Sequence, residues 1–77
     1  MAVIEIYVPP EVPISRRRGV SIMLARRAAG LTVRELATKL HRSKDTVHRW
    51  ELGTLCPTLD DARAIADVLG QPITFLY

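Results

Sequence analysis

Residues 32–53 read TVRELATKLHRSKDTVHRWELG, and this stretch decides the fold. Thr32 has the short hydroxyl side chain that caps a helix start, and Glu35 three residues later completes a capping box. Val33, Leu36, Ala37 and Leu40 then recur at i, i+3, i+4 and i+7, which is one apolar stripe on a helix. The pattern stops at His41-Arg42, and Ser43 supplies a second cap. Val47 and Trp50 mark the inward side of the helix that follows, and Gly53 stops it. Two short capped helices separated by a tight turn are predicted. The small Ala37 lets the second helix cross the first closely and stand outward.

The same punctuation extends in both directions. Upstream, Ile22, Ala25 and Ala29 recur at helical spacing and Gly30 closes a helix that starts after Gly19. Downstream, Pro57-Thr58 opens another helix, with Asp60 and Asp61 favouring its positive end. Leu59, Ala62, Ile65, Ala66 and Leu69 line the inner face of that helix, and Gly70 ends it. Pro72 then starts a last helical turn carrying Ile73, Phe75 and Leu76. Before residue 16 the character changes. Ala2–Val8 is β-branched and bounded by Pro9-Pro10, which reads as one strand, and Pro10–Ile14 reads as extended. The expected architecture is all-α: five short helices containing a helix-turn-helix motif, preceded by one N-terminal β-strand. Residues 1–19 form a strand and basic linker, and residues 20–77 form the helical domain.

At 77 residues the chain holds one domain with a thin core and little material to wall an enzyme cleft. Its net charge of +3 favours a polyanionic partner. Cys56 is the single cysteine, so no internal disulfide can form, and it reads as an inert loop thiol. His41 and His48 have no accompanying cysteine or carboxylate pattern, so no metal is expected. No Ser/His/Asp or paired-carboxylate arrangement stands out, so neither an enzyme nor a cofactor is expected. No apolar run approaches a membrane span, and the opening segment lacks the basic flank of a signal peptide. A cytoplasmic protein, in a bacterium or a phage-infected host, is the expectation.

The order of these signals resembles the Cro and phage-repressor (xenobiotic-response-element-like) helix-turn-helix family, in the lambda-repressor-like fold. The matching residues are Arg26, Ala29-Gly30-Leu31-Thr32, Glu35-Leu36-Ala37, Leu40, Ser43, Val47, Glu51 and Gly53. Pro57-Thr58-Leu59, Ile65-Ala66, Leu69-Gly70 and Phe75-Leu76 continue the match. Three positions depart from the family pattern. His41 stands where relatives have Gly, Arg42 where they have an apolar residue, and Val33 where they tend to have Gln.

The resemblance implies that the outward face of the third helix enters the major groove of double-stranded DNA. Lys44, Asp45, His48 and Arg49 share that face, opposite Val47 and Trp50. Lys44 and Arg49 suit the O6 and N7 acceptors of guanine, and Asp45 suits the amino group of cytosine. Thr32, Arg42, Ser43 and Thr46 are the candidate phosphate contacts, joined by the run Arg16-Arg17-Arg18 acting as a basic arm. The resemblance also implies an ion pair between Arg26 and Glu51 that locks the first helix to the third. Trp50 reads as core rather than as a base-stacking residue.

The expected function is a transcriptional repressor of phage or prophage type, acting as a homodimer. Val3, Ile4, Ile6, Tyr7 and Val8 are the candidate dimerisation residues, paired between subunits as an antiparallel ribbon. Such a dimer would set two recognition helices about 34 Å apart, one turn of DNA. The rival expectation is an antitoxin whose N-terminal segment faces a toxin protein and whose DNA binding is autoregulatory.

Overall fold

A computed structural model describes residues 14–76. Its elements are α1 (Ile14–Ala28), α2 (Val33–Leu40), α3 (Lys44–Leu52) and α4 (Leu59–Leu69), followed by a 3₁₀ turn at Ile73–Phe75. The five-helix-plus-strand expectation is therefore corrected: among the described residues there are four α-helices and no strand. The segment Ala2–Val8, with Val3, Ile4, Ile6, Tyr7 and Val8, lies outside the described residues. The expected fifth helix is only a 3₁₀ turn for a local reason. Pro72 supplies no side-chain cap, and a Leu76 N–H to Ile73 carbonyl bond of 3.0 Å closes the tight turn.

The first helix begins earlier than expected. The sequence pattern implies an extended Ile14 and a linker up to Gly19, yet α1 starts at Ile14. Pro13 stands just before it, and proline is well tolerated at a helix start because the missing N–H would have no partner there.

The remaining boundaries follow the local chemistry. Thr32, Ser43 and Thr58 each accept a backbone N–H three residues on, from Glu35, Thr46 and Asp61. At α2 the capping box is complete, with the Thr32 N–H donating to Glu35 Oε1 at 3.0 Å. That bond, with the Thr32 hydroxyl, holds the Glu35 carboxyl below its ordinary pKa. Gly30, Gly53 and Gly70 stop their helices in the left-handed region. His41 stops α2 in the same way at φ 55°, the single non-glycine residue in that region among those described.

The core is built where the four helices meet. Ile22, Leu36, Val47, Ile65 and Leu69 are its largest fully enclosed side chains, each worth about 1.5–3 kcal/mol of apolar burial. Trp50, Ala25, Ala37, Ala62 and Leu76 complete it. Two expected members are not inside: Ala29 is exposed at the end of α1, and Leu59 is 50% exposed at the first position of α4. Both sit in a terminal turn, where the stripe has already rotated off the neighbouring helix.

Gly19 is the residue whose role was least visible. In the sequence it looks like a divider between two segments, yet it is buried within α1 where that helix crosses the end of α3. A Cβ there would overlap the Glu51 carbonyl oxygen and stand 2.6 Å from that of Trp50. Neither atom can yield, because both are backbone. Gly19→Ala should destabilise by about 1–3 kcal/mol, read as a lower urea midpoint with unchanged slope. His41→Gly should act oppositely and stabilise by about 0.5–1 kcal/mol in the same titration, because it relieves the left-handed strain.

Candidate nucleic-acid interface

The local sequence gives α3 two unlike sides. Val47, Trp50 and Glu51 are buried, while Lys44, Asp45, His48 and Arg49 are all exposed. The structure thus brings the four expected base-reading side chains onto one solvent-facing surface. Ser43 and Thr46 sit at the start of α3, their hydroxyl oxygens 2.8 Å apart, with Ser43 Oγ also accepting the Thr46 N–H. Thr32 stands exposed at the start of α2 with its hydroxyl in the capping box.

What aims this surface is a buried ion pair. Arg26 Nε donates to Glu51 Oε2 at 2.7 Å, and Nη2 donates to Oε1 at 3.0 Å, a two-pronged match of guanidinium to carboxylate. The remaining terminal nitrogen, Nη1, donates to the Leu31 carbonyl at 2.8 Å. One side chain of α1 thereby holds α3 and the loop leading into α2. The two residues are 9% and 7% exposed, so each charge depends on the other for solvation.

The basic residues divide between fold and surface. Arg16 Nη1 donates to the Leu52 carbonyl at 2.9 Å, capping the end of α3 with positive charge. Arg18 Nε donates to the Leu76 carbonyl at 2.9 Å and ties α1 to the C-terminal turn. Arg17 is half-buried. The run expected to form an arm is thus part of a helix, with two of its three members bonded to carbonyls of other elements. Arg42 is also engaged: Nε and Nη2 both donate to Asp61 Oδ1, at 3.1 and 2.7 Å. That pair joins the turn after α2 to the first turn of α4, and it is half exposed, so its contribution to stability is small.

Four residues have roles that the sequence does not make plain. Val33, in the sequence a member of the apolar stripe of α2 and a departure from the family pattern, lines a concavity with Lys44, Asp45 and His48. Its place at the first turn of α2, beside the outward face of α3, was the available signal. Arg27 and Met23 of α1 face a neighbouring groove that also includes His48 and Leu52. Asp61 was read only as a favourable helix-start charge, because its partner lies nineteen residues away. Among the described residues no group of three or more His, Cys, Asp or Glu is placed to hold a metal ion. No helix among them is long and apolar enough to cross a membrane.

A scan against protein families matches residues 19–74 to a model described as a helix-turn-helix domain. The chain belongs to the helix-turn-helix domain family. Membership gives its function at a coarse level, a DNA-binding transcription regulator, with α2 and α3 as the motif. The helix-turn-helix chain is also similar in fold to two crystal structures of the clp gene regulator ClgR from Corynebacterium glutamicum. The first has TM-score 0.79 and 21% identity, and covers 86% of this chain and 86% of that one. The second has TM-score 0.81 and 22% identity, covering 87% of this chain and 71% of that one. No curated protein matches the sequence.

Removing one half of the ion pair strands the other charge in the interior. Glu51→Ala should therefore destabilise this helix-turn-helix domain by about 3–5 kcal/mol. Thermal melting followed by far-ultraviolet circular dichroism checks this, and an unchanged midpoint would show that the charges do not depend on each other.

Proposed function

We propose that this chain is a transcriptional repressor of phage or prophage type, cytoplasmic, which binds operator DNA as a homodimer. The observation that carries the reading is the division of α3. Val47 and Trp50 anchor it in the core while Lys44, Asp45, His48 and Arg49 stand clear of the body. In this reading Lys44 and Arg49 donate to guanine O6 and N7, Asp45 accepts from a cytosine amino group, and His48 lies over a neighbouring base. Ser43 and Thr46 meet phosphates at the start of α3, and Thr32 does so at the start of α2. Arg42 approaches the same strand from the turn. Arg16, Arg17 and Arg18 add positive potential from α1 rather than acting as an arm.

Repression is the simplest outcome of such binding, because a domain seated on a promoter blocks polymerase from the same DNA. The homodimer is supported by Leu52, Leu55 and Leu59, which succeed one another along the α3–α4 connection and are 44%, 42% and 50% exposed. Two copies would read a palindrome, each α3 on one half-site. The antitoxin reading assigns its toxin to the N-terminal segment, outside the described residues, and no feature of the four helices favours it.

Selection from random duplex DNA tests the proposal. A short, two-fold symmetric consensus is the expected result, and binding should weaken steeply with salt. Arg49→Ala should then lose preference at one guanine of each half-site, costing about 1–3 kcal/mol of discrimination. A loss spread evenly over all sequences would instead make Arg49 a phosphate contact, and recovery of no consensus would remove the operator-binding reading altogether.

A further inference from the structure

Among the described residues, four line the concavity beside α3, and three of them, Lys44, Asp45 and His48, are hydrogen-bonding groups. The fourth, Val33, is apolar. It is half-buried and packs against the core cluster, yet it also contributes to the walls of this depression. A valine in a helix has one strongly preferred side-chain rotamer, so its methyl groups are held rather than mobile. The capping box between Thr32 and Glu35 fixes the backbone on either side of it. The result is a rigid apolar spot set among polar side chains on the face assigned to DNA.

A polar edge of a base gains nothing from such a spot. The apolar feature that the major groove offers is a methyl group at C5 of a pyrimidine. That methyl is carried by thymine, and by cytosine when it is methylated at C5. The neighbouring side chains suit the group attached to the adjacent ring carbon in either base. Lys44 donates to a carbonyl such as thymine O4, and Asp45 accepts from an amino group such as cytosine N4. We propose that Val33 is a specificity-determining residue, which with Lys44, Asp45 and His48 forms a subsite for the C5-methyl of a pyrimidine. The inference rests on the reading of α3 as the base-contacting helix. It gives the position after Thr32 a role in sequence choice, not only in packing.

The test uses the full wild-type chain and the duplex recovered by selection. Each thymine is replaced in turn by deoxyuridine, which removes only the methyl, and each cytosine by 5-methyldeoxycytidine, which adds only the methyl. One position per half-site should respond. Loss of about fourfold in affinity on thymine-to-uridine exchange identifies thymine as the source. A gain of about fourfold on cytosine methylation identifies 5-methylcytosine. Val33→Ala should then make the two forms of that base indistinguishable. Val33→Thr, which keeps the shape of the side chain and replaces one methyl by a hydroxyl, carries the same comparison if Val33→Ala does not fold. Selective binding with no methyl response, or a response that survives in Val33→Ala, overturns the subsite while leaving α3 as the reading helix. Absence of any selective duplex binding overturns both.

Discussion

The orientation of α3 depends on Arg26 and Glu51. A recognition surface is useful only if it is held at one angle, and a nine-residue helix has little contact area with which to hold itself. Val47 and Trp50 fix its depth, but apolar contacts alone permit rotation and sliding. The fork of Arg26 on Glu51 removes that freedom, because two parallel hydrogen bonds of 2.7 and 3.0 Å are satisfied in only one relative placement of α1 and α3. Close approach of the same two helices at Gly19 makes the placement possible. The polar lock and the missing side chain belong to one contact, made about two turns apart along α1.

Much of this architecture was legible in the sequence because its rules act over short distances. Thr32, Ser43 and Thr58 announce helix starts within three residues, and Gly30, Gly53 and Gly70 announce stops within one. The exposed set on α3 followed from periodicity alone. Arg26 and Glu51 came from a family resemblance, since nothing within either helix says that the two will meet. The errors cluster where the deciding contact is remote. Gly19 looks like a break unless the Trp50 and Glu51 carbonyls are known to lie against it. Arg16 and Arg18 look like a solvated run unless the Leu52 and Leu76 carbonyls are known to be within reach. The last segment looks helical because Ile73, Phe75 and Leu76 are apolar, but Pro72 gives it no side-chain cap and among the described residues it forms one tight turn.

Charge in this molecule is distributed with economy. The chain carries eleven basic residues, and several of them serve as internal fasteners. Arg16 closes the end of α3, Arg18 holds the C-terminal turn, Arg26 locks α1 to α3 and Arg42 links the turn to α4. Lys44 and Arg49 of α3, with Arg27 of α1 and Arg34 and Lys39 of α2, stand exposed outside these bonds.

The caps have a kinetic consequence. Each of α2, α3 and α4 is started by a side-chain bond spanning three residues and stopped by backbone bonds spanning six or fewer. The chain can thus mark out its helices before any distant segment arrives, and little loop entropy is lost in doing so. Contacts that require long closure, such as Arg18 with the Leu76 carbonyl, join elements already formed. Helical chains dominated by local contacts fold in microseconds to milliseconds. For a domain of this size that speed limits how long its few large apolar side chains stand open to one another on separate molecules.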